Sequence, residues 1–184
     1  MDDHTSFEIR AGAGDDLFMI AGVLVDTWRS TFRGLLSDAY LDGMSREDQA
    51  VRHARRMAAG GVSYLVAIEP FAGDVIGFAN FGLGRGRVAA DVYEIYALYI
   101  RADYQGMGIG RALVQAAASQ CAGQGATALF AWVLSSNPNR EFYKRMGAKA
   151  VETGDIGLGD RSYEQTAYLW EDITALTQRA GDQS

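Results

Sequence analysis

The sequence predicts an α/β domain built on a mixed central sheet of about seven strands flanked by helices. Three observations carry this: the order of strand-like and helix-like segments along 184 residues, a glycine-rich turn that runs from a strand directly into an alanine-rich helix, and the lack of any repeat, low-complexity tract or proline-rich linker. A chain of this length buries one substantial core and is too short for two ordinary domains. A single domain is therefore expected over 1–184, with its core at about 7–170 and a tail at 171–184.

The first strand spans Phe7 to Arg10. A helix follows from about Asp15 to Arg29, with two acids in its first turn that oppose the positive end of the helix dipole. Leu35 to Met44 reads as a short second helix. Ser45 with Asp48 resembles a capping box and opens a third, which runs to about Ala59 and stops at Gly60-Gly61. Strand-like runs at Ser63 to Glu69, Val75 to Gly82 and Val92 to Ile100 are separated by turn signals at Gly73-Asp74 and in Gly82 to Gly86. Gly108 to about Ala122 is helical and ends at Gly123 and Gly125. Ala128 to Leu134 is continuously apolar, as a strand covered on both faces should be. Asn137-Pro138 supplies an N-cap and a first-position proline for a last helix, closed by Gly147. Lys149 to Asp155 and Ser162 to Leu169 form a closing pair of strands.

Composition narrows the function classes. Hydrophobic residues make up 48% of the chain and charged residues 22%, as in an ordinary globular protein. The net charge of -6 repels phosphate backbones and anionic lipid, so neither nucleic acid nor a membrane is an expected partner. The first ten residues lack the basic end of a secretory signal, and the longest apolar stretch, Leu17 to Val25, is about half the roughly 18 residues that span a bilayer. A cytoplasmic protein is expected. Cys121, the single cysteine, falls on the apolar face of a predicted helix and reads as packing rather than as a nucleophile. His4 and His53 have no ligand-like neighbours, so no metal is expected.

The segment from Glu94 to Leu113, EIYALYIRADYQGMGIGRAL, carries the chemistry. Glycines at 106, 108 and 110 let a ligand approach successive backbone N–H groups, and the helix start aims unpaired donors and a positive dipole at the same point. This is an anion site suited to a phosphate or pyrophosphate. A nucleotide P-loop would need Lys-Ser/Thr after its last glycine, where Arg111-Ala112 stands. A dinucleotide fingerprint counted from Gly106 or Gly82 puts Arg111 or Arg87 where the third glycine belongs.

What remains, Gln105-x-x-Gly108-x-Gly110, resembles the pyrophosphate-binding signature of the GNAT acyltransferases, Arg/Gln-x-x-Gly-x-Gly/Ala. The strand before it, ending Leu98-Tyr99-Ile100, and the later segment NPNREFYKRMGA, Asn137 to Ala148, are similar to two further features of that family. TWRSTFRGLLSDAYLDGMS is similar to the substrate-side helices of one bacterial branch, so the resemblance covers nearly the whole chain. Ala102 and Ala148 depart from it, standing where proline and phenylalanine are usual.

The resemblance implies a GNAT-like fold with splayed fourth and fifth strands, and an enzyme that transfers the acetyl group of acetyl-CoA to a primary amine. It implies a small-molecule or peptide acceptor. No covalent acetyl-enzyme is expected because the only cysteine reads as packing, and a monomer or small homo-oligomer is expected because the closing strands at 149–155 and 162–169 offer an edge or face to a second copy. The alternative is an acyl-CoA sensor without turnover. Backbone groups of Leu98, Tyr99 and Ile100 would hold the pantetheine arm, and Gln105, Gly106, Met107, Gly108, Ile109, Gly110 and Arg111 the pyrophosphate. Asn137 or Asn139 would also bond the pantetheine. Tyr143 matches the tyrosine that protonates the departing thiolate, chemistry that some donor must perform. Glu94 is placed on one strand face with Tyr96 and Leu98 by simple alternation, as a base for the amine or an anchor for a cationic acceptor. Trp28, Arg29 and Phe32, with Tyr96, would line the acceptor site.

Overall fold

The computed structural model describes residues 6–86 and 89–177. Seven strands form one sheet in the order β1-β2-β3-β4-β5-β7-β6: β1 is Glu8–Ala11, β2 Val62–Ile68, β3 Val75–Leu83, β4 Val92–Ile100, β5 Ala128–Leu134, β6 Lys149–Leu158 and β7 Arg161–Trp170. Every pairing is antiparallel except β4 with β5. The helices are α1 Leu17–Phe32, α2 Asp38–Asp42, α3 Arg46–Ala59, α4 Ile109–Gly123, α5 Glu141–Arg145 and α6 Thr174–Thr177.

Two apolar layers sandwich the sheet. On one face α4 buries Ile109, Leu113, Ala117 and Cys121, a helical stripe, against Leu65, Ile76, Ala79 and Phe81. On the other, α1 buries Ile20, Val25 and Phe32 against Val66 and Phe78. The buried set extends past residue 170, since Ile173 and Leu176 are each 2% exposed and belong to the α4-side layer.

Two features of the sheet position the site. The parallel pairing of β4 with β5 runs only from Val92↔Ala128 to Ile95↔Ala131, so from Tyr96 onward the two strands have parted. At the same level β4 carries a bulge: Asn80 pairs with Ala97 and Phe81 with Ile95, leaving Tyr96 as the extra residue. The bulge exchanges the faces of the strand. Tyr93 and Ile95 face α4 before it, whereas Leu98 and Ile100 face α4 after it and Ala97 and Tyr99 turn to α1. Glu94 therefore does not share a face with Leu98, as uninterrupted alternation had placed it.

Several boundaries moved for local reasons. The second helix shrinks to five residues because Gly34, at φ 80°, turns the chain and Leu36 is buried in a bridge with Arg33. Ser45 accepts the N–H of Asp48 at 3.1 Å, as a helix cap should. Asn137 does not cap α5. Its side chain accepts the N–H of Asn139 at 2.8 Å, and single turns carry the chain to a helix that starts at Glu141. Among the described residues no helix is long and apolar enough to cross a membrane.

Candidate active site

The parting of β4 from β5 opens two cavities. The first, of about 290 Å³, lies over the glycine turn and is lined by Leu98, Tyr99, Ile100, Gln105, Gly106, Gly108, Ile109, Gly110, Arg111, Asn137, Asn139 and Tyr143. The second, of about 220 Å³, is lined by Trp28, Phe32, Tyr96 and Tyr99 with residues of β5 and β6. Phe32, Leu98, Tyr99, Asn137 and Tyr143 line both. The cavities thus meet at the point where the strands separate.

In the first cavity the glycines play different parts. Gly108 is the N-cap of α4 at φ 84°, and Gly106 sits at φ 81°, both left-handed conformations that a side chain strains. A Cβ on Gly110 would instead lie 3.3 Å from Ile100 and 3.4 Å from Phe142, so this glycine lets α4 close on β4 and α5 rather than baring a backbone amide. Gln105 turns its amide back to donate to the Ile100 carbonyl at 3.0 Å, with the Thr27 hydroxyl on the same oxygen at 3.4 Å. Met107 lines neither cavity and is 43% exposed. Thr27, Thr31, Tyr104, Phe142 and Arg145 also line the groove. Thr27, Thr31 and Arg145 lie in segments that resemble the family but were not expected at the site, and the packing of α1 and α5 brings them to the groove.

Tyr143 is 8% exposed, stacked on Tyr168 with ring centroids 5.5 Å apart and edge-on to Phe142. Burial, with Tyr99 and Tyr168 beside it, raises its phenol well above the ordinary tyrosine range, so it is fully protonated at neutral pH. Burial likewise pushes Tyr99 up to about 12. Among the described residues the Tyr143 hydroxyl has no hydrogen-bond partner, and Tyr143 lines both cavities.

Glu94 lines neither cavity and is wholly buried. Arg85, on the loop after β3, covers it. Glu94 Oε2 accepts the backbone N–H and the Nε–H of Arg85, each at 3.0 Å, and Oε1 accepts Nη2–H at 2.5 Å. These bonds raise the Arg85 pKa above its ordinary value. The guanidinium carbon also sits 4.7 Å over the Tyr96 ring, whose hydroxyl donates to the Leu83 carbonyl at 2.5 Å. The second cavity therefore presents the arginine, and the carboxylate lies behind it. Arg29 is not at the site: it donates to the carbonyls of Leu41, Asp42 and Met44 and ties α1 to the following helices.

Cys121 is fully buried, and burial pushes its thiol up to about 12. No group of three His, Cys, Asp or Glu side chains gathers as a metal site among the described residues.

The profile of the acetyltransferase (GNAT) family matches residues 25–148. Over 168 residues the chain is 27% identical to the uncharacterized N-acetyltransferase YuaI of Bacillus subtilis, covering 91% of this chain and 95% of that one. PaiA N-acetyltransferase of Thermoplasma acidophilum, solved in complex with coenzyme A, superposes with a TM-score of 0.69 at 22% identity, covering 90% of this chain and 99% of its own. YncA of Salmonella typhimurium, solved with acetyl-CoA, gives a TM-score of 0.67 at 19% identity, covering 91% and 94%.

Proposed function

The chain belongs to the GNAT acetyltransferase family and is an acyl-CoA-dependent N-acyltransferase, and from that premise we propose that it transfers the acetyl group of acetyl-CoA to a primary amine by direct attack in a ternary complex. The observation that carries this reading is the meeting of two cavities at Phe32, Leu98, Tyr99, Asn137 and Tyr143. Each cavity can hold one substrate, and the two share walls only there, which is what direct transfer requires.

In this reading acetyl-CoA fills the first cavity, with its pantetheine along the stretch of β4 that β5 has left. Its pyrophosphate lies at the start of α4, where the turn's N–H groups and Arg111 supply donors and charge. The amine enters by the second cavity. Its nitrogen lone pair bonds to the acetyl carbon, the carbon–sulfur bond breaks as the intermediate collapses, and the sulfur takes the electron pair and a proton from Tyr143. Held protonated at neutral pH by burial, the Tyr143 phenol has a proton to give as charge develops on the sulfur. With Glu94 covered by Arg85, the ammonium proton leaves through cavity water, and Glu94 acts by holding Arg85.

The test is Tyr143→Phe, which removes one hydroxyl and keeps the stacked ring. The variant should lower kcat about 10² to 10⁴-fold in a CoA-release assay, with acetyl-CoA affinity nearly kept. Full kcat, with chemistry rate-limiting, would overturn the acid assignment.

A further inference from the structure

The second cavity has a charge that the rest of the protein does not suggest. The chain carries a net charge of -6, a field that draws cations. Yet among the described residues no carboxylate lines this cavity, and its one charged side chain is Arg85. A polyamine or lysine acceptor would find no carboxylate on the cavity wall, since the nearest acid, Glu94, is buried and already bonded to Arg85.

Arg85 is also held in a set orientation. Of the five guanidinium N–H groups, Glu94 takes Nε–H and one on Nη2, and stacking on Tyr96 fixes the plane. Among the described residues the edge formed by Nη1 and the second Nη2 proton has no partner, a fork that matches the two oxygens of a carboxylate. Glu94 occupies the adjoining Nε–Nη2 edge and offsets part of the charge, so the remaining edge contributes directed hydrogen bonds more than net charge. Apart from the amides of Asn137 and Gln165 and the phenol of Tyr143, the remaining walls, such as Trp28, Phe32, Tyr99, Trp132, Ile156 and Leu158, are apolar or aromatic.

Resting on the acetyl-transfer reading, we propose that the acceptor is a small amino acid with an apolar side chain, its carboxylate gripped by the free edge of Arg85 and its amine delivered to the junction at Tyr143. Arg85 sets specificity, and Glu94 is a positioning residue that holds the guanidinium. The apolar walls take the side chain. The volume of about 220 Å³ admits a molecule of this size and excludes a folded protein terminus beyond its first residues.

The experiment compares kcat/KM for L-leucine and L-phenylalanine, their methyl esters, the matching decarboxylated amines and spermidine. Loss of a charge-assisted fork should make the esters and amines about 10-fold or more poorer than the free acids. Arg85→Gln combined with Glu94→Gln, which leaves a neutral amide pair rather than a stranded buried charge, should shrink that preference to about 3-fold or less, through KM. Glu94→Gln alone should raise KM for the acids with kcat within about 3-fold; a kcat loss that recovers as pH rises would mark a base and overturn the positioning role. Esters, amines or spermidine turned over as well as the acids, an unchanged preference in the folded double variant, or no acid acetylated by protein that binds acetyl-CoA would each overturn the substrate class alone. Failure to bind acetyl-CoA by calorimetry would instead overturn the reading beneath it.

Discussion

His53 should make the stability of this protein fall as the solution becomes mildly acidic. Its ring is 4% exposed, shares a 2.9 Å hydrogen bond with the Tyr64 hydroxyl, and lies edge-on to Tyr64 and Phe78. Burial, helped by Arg56, lowers its pKa from 6.5 to about 4. The unfolded chain protonates this histidine first, so nothing is lost above pH 6.5, stability declines as pH falls from there towards 4, and the loss is complete below. At about 1.4 kcal/mol per pH unit the full loss is about 3 kcal/mol, and about 2 kcal/mol is gone by pH 5. With a urea slope of about 2 kcal/mol/M the midpoint should drop by about 1 M between pH 7.5 and 5. His53→Gln keeps a polar partner for Tyr64 and cannot titrate, so its midpoint should be lower at pH 7.5 but nearly flat over the same range. Urea curves followed by circular dichroism give both slopes. Parallel pH dependence in the two proteins would refute the argument.

Two further predictions concern the cavities and the cysteine. Gly108→Ala should weaken acetyl-CoA binding and cost about 1 to 2 kcal/mol of stability, because φ 84° is a left-handed conformation. Gly110→Ala should change stability by less than about 1 kcal/mol, since contacts of 3.3 to 3.4 Å oppose a gain in helix propensity; calorimetry of both variants checks the contrast. Cys121 should resist alkylation in the folded protein and carry no acetyl adduct after incubation with acetyl-CoA, as intact mass measurement would report, because its thiol is buried and shifted to about 12.

The central strands β2 to β5 were legible because their apolar runs are long and set off by turn signals. The glycine turn was legible for the same reason, as a strand feeding a helix through Gly106 and Gly108. The bulge at Tyr96 was not: it adds one residue without changing composition, and so alternation carried past it assigned Glu94 to the wrong company. Arg85 was hidden in a segment that reads only as a turn, and its pairing with Glu94 depends on how the loop folds back over β4. Arg29 was assigned to the acceptor site by its neighbours Trp28 and Phe32, but the helix turns it towards the carbonyls of Leu41 and Met44. Position on an element was readable; the direction a long side chain takes from it was not.

The central claim is that two cavities, one for acetyl-CoA and one for the amine, meet at Tyr143 where β4 leaves β5. A crystal structure with CoA bound tests it most directly. The account predicts the pyrophosphate on the N–H groups of the Gln105 to Arg111 turn, the pantetheine beside Leu98 to Ile100, and the sulfur about 3 to 4 Å from the Tyr143 hydroxyl. CoA seated elsewhere, or a sulfur remote from Tyr143 with the second cavity closed off from it, would contradict the account.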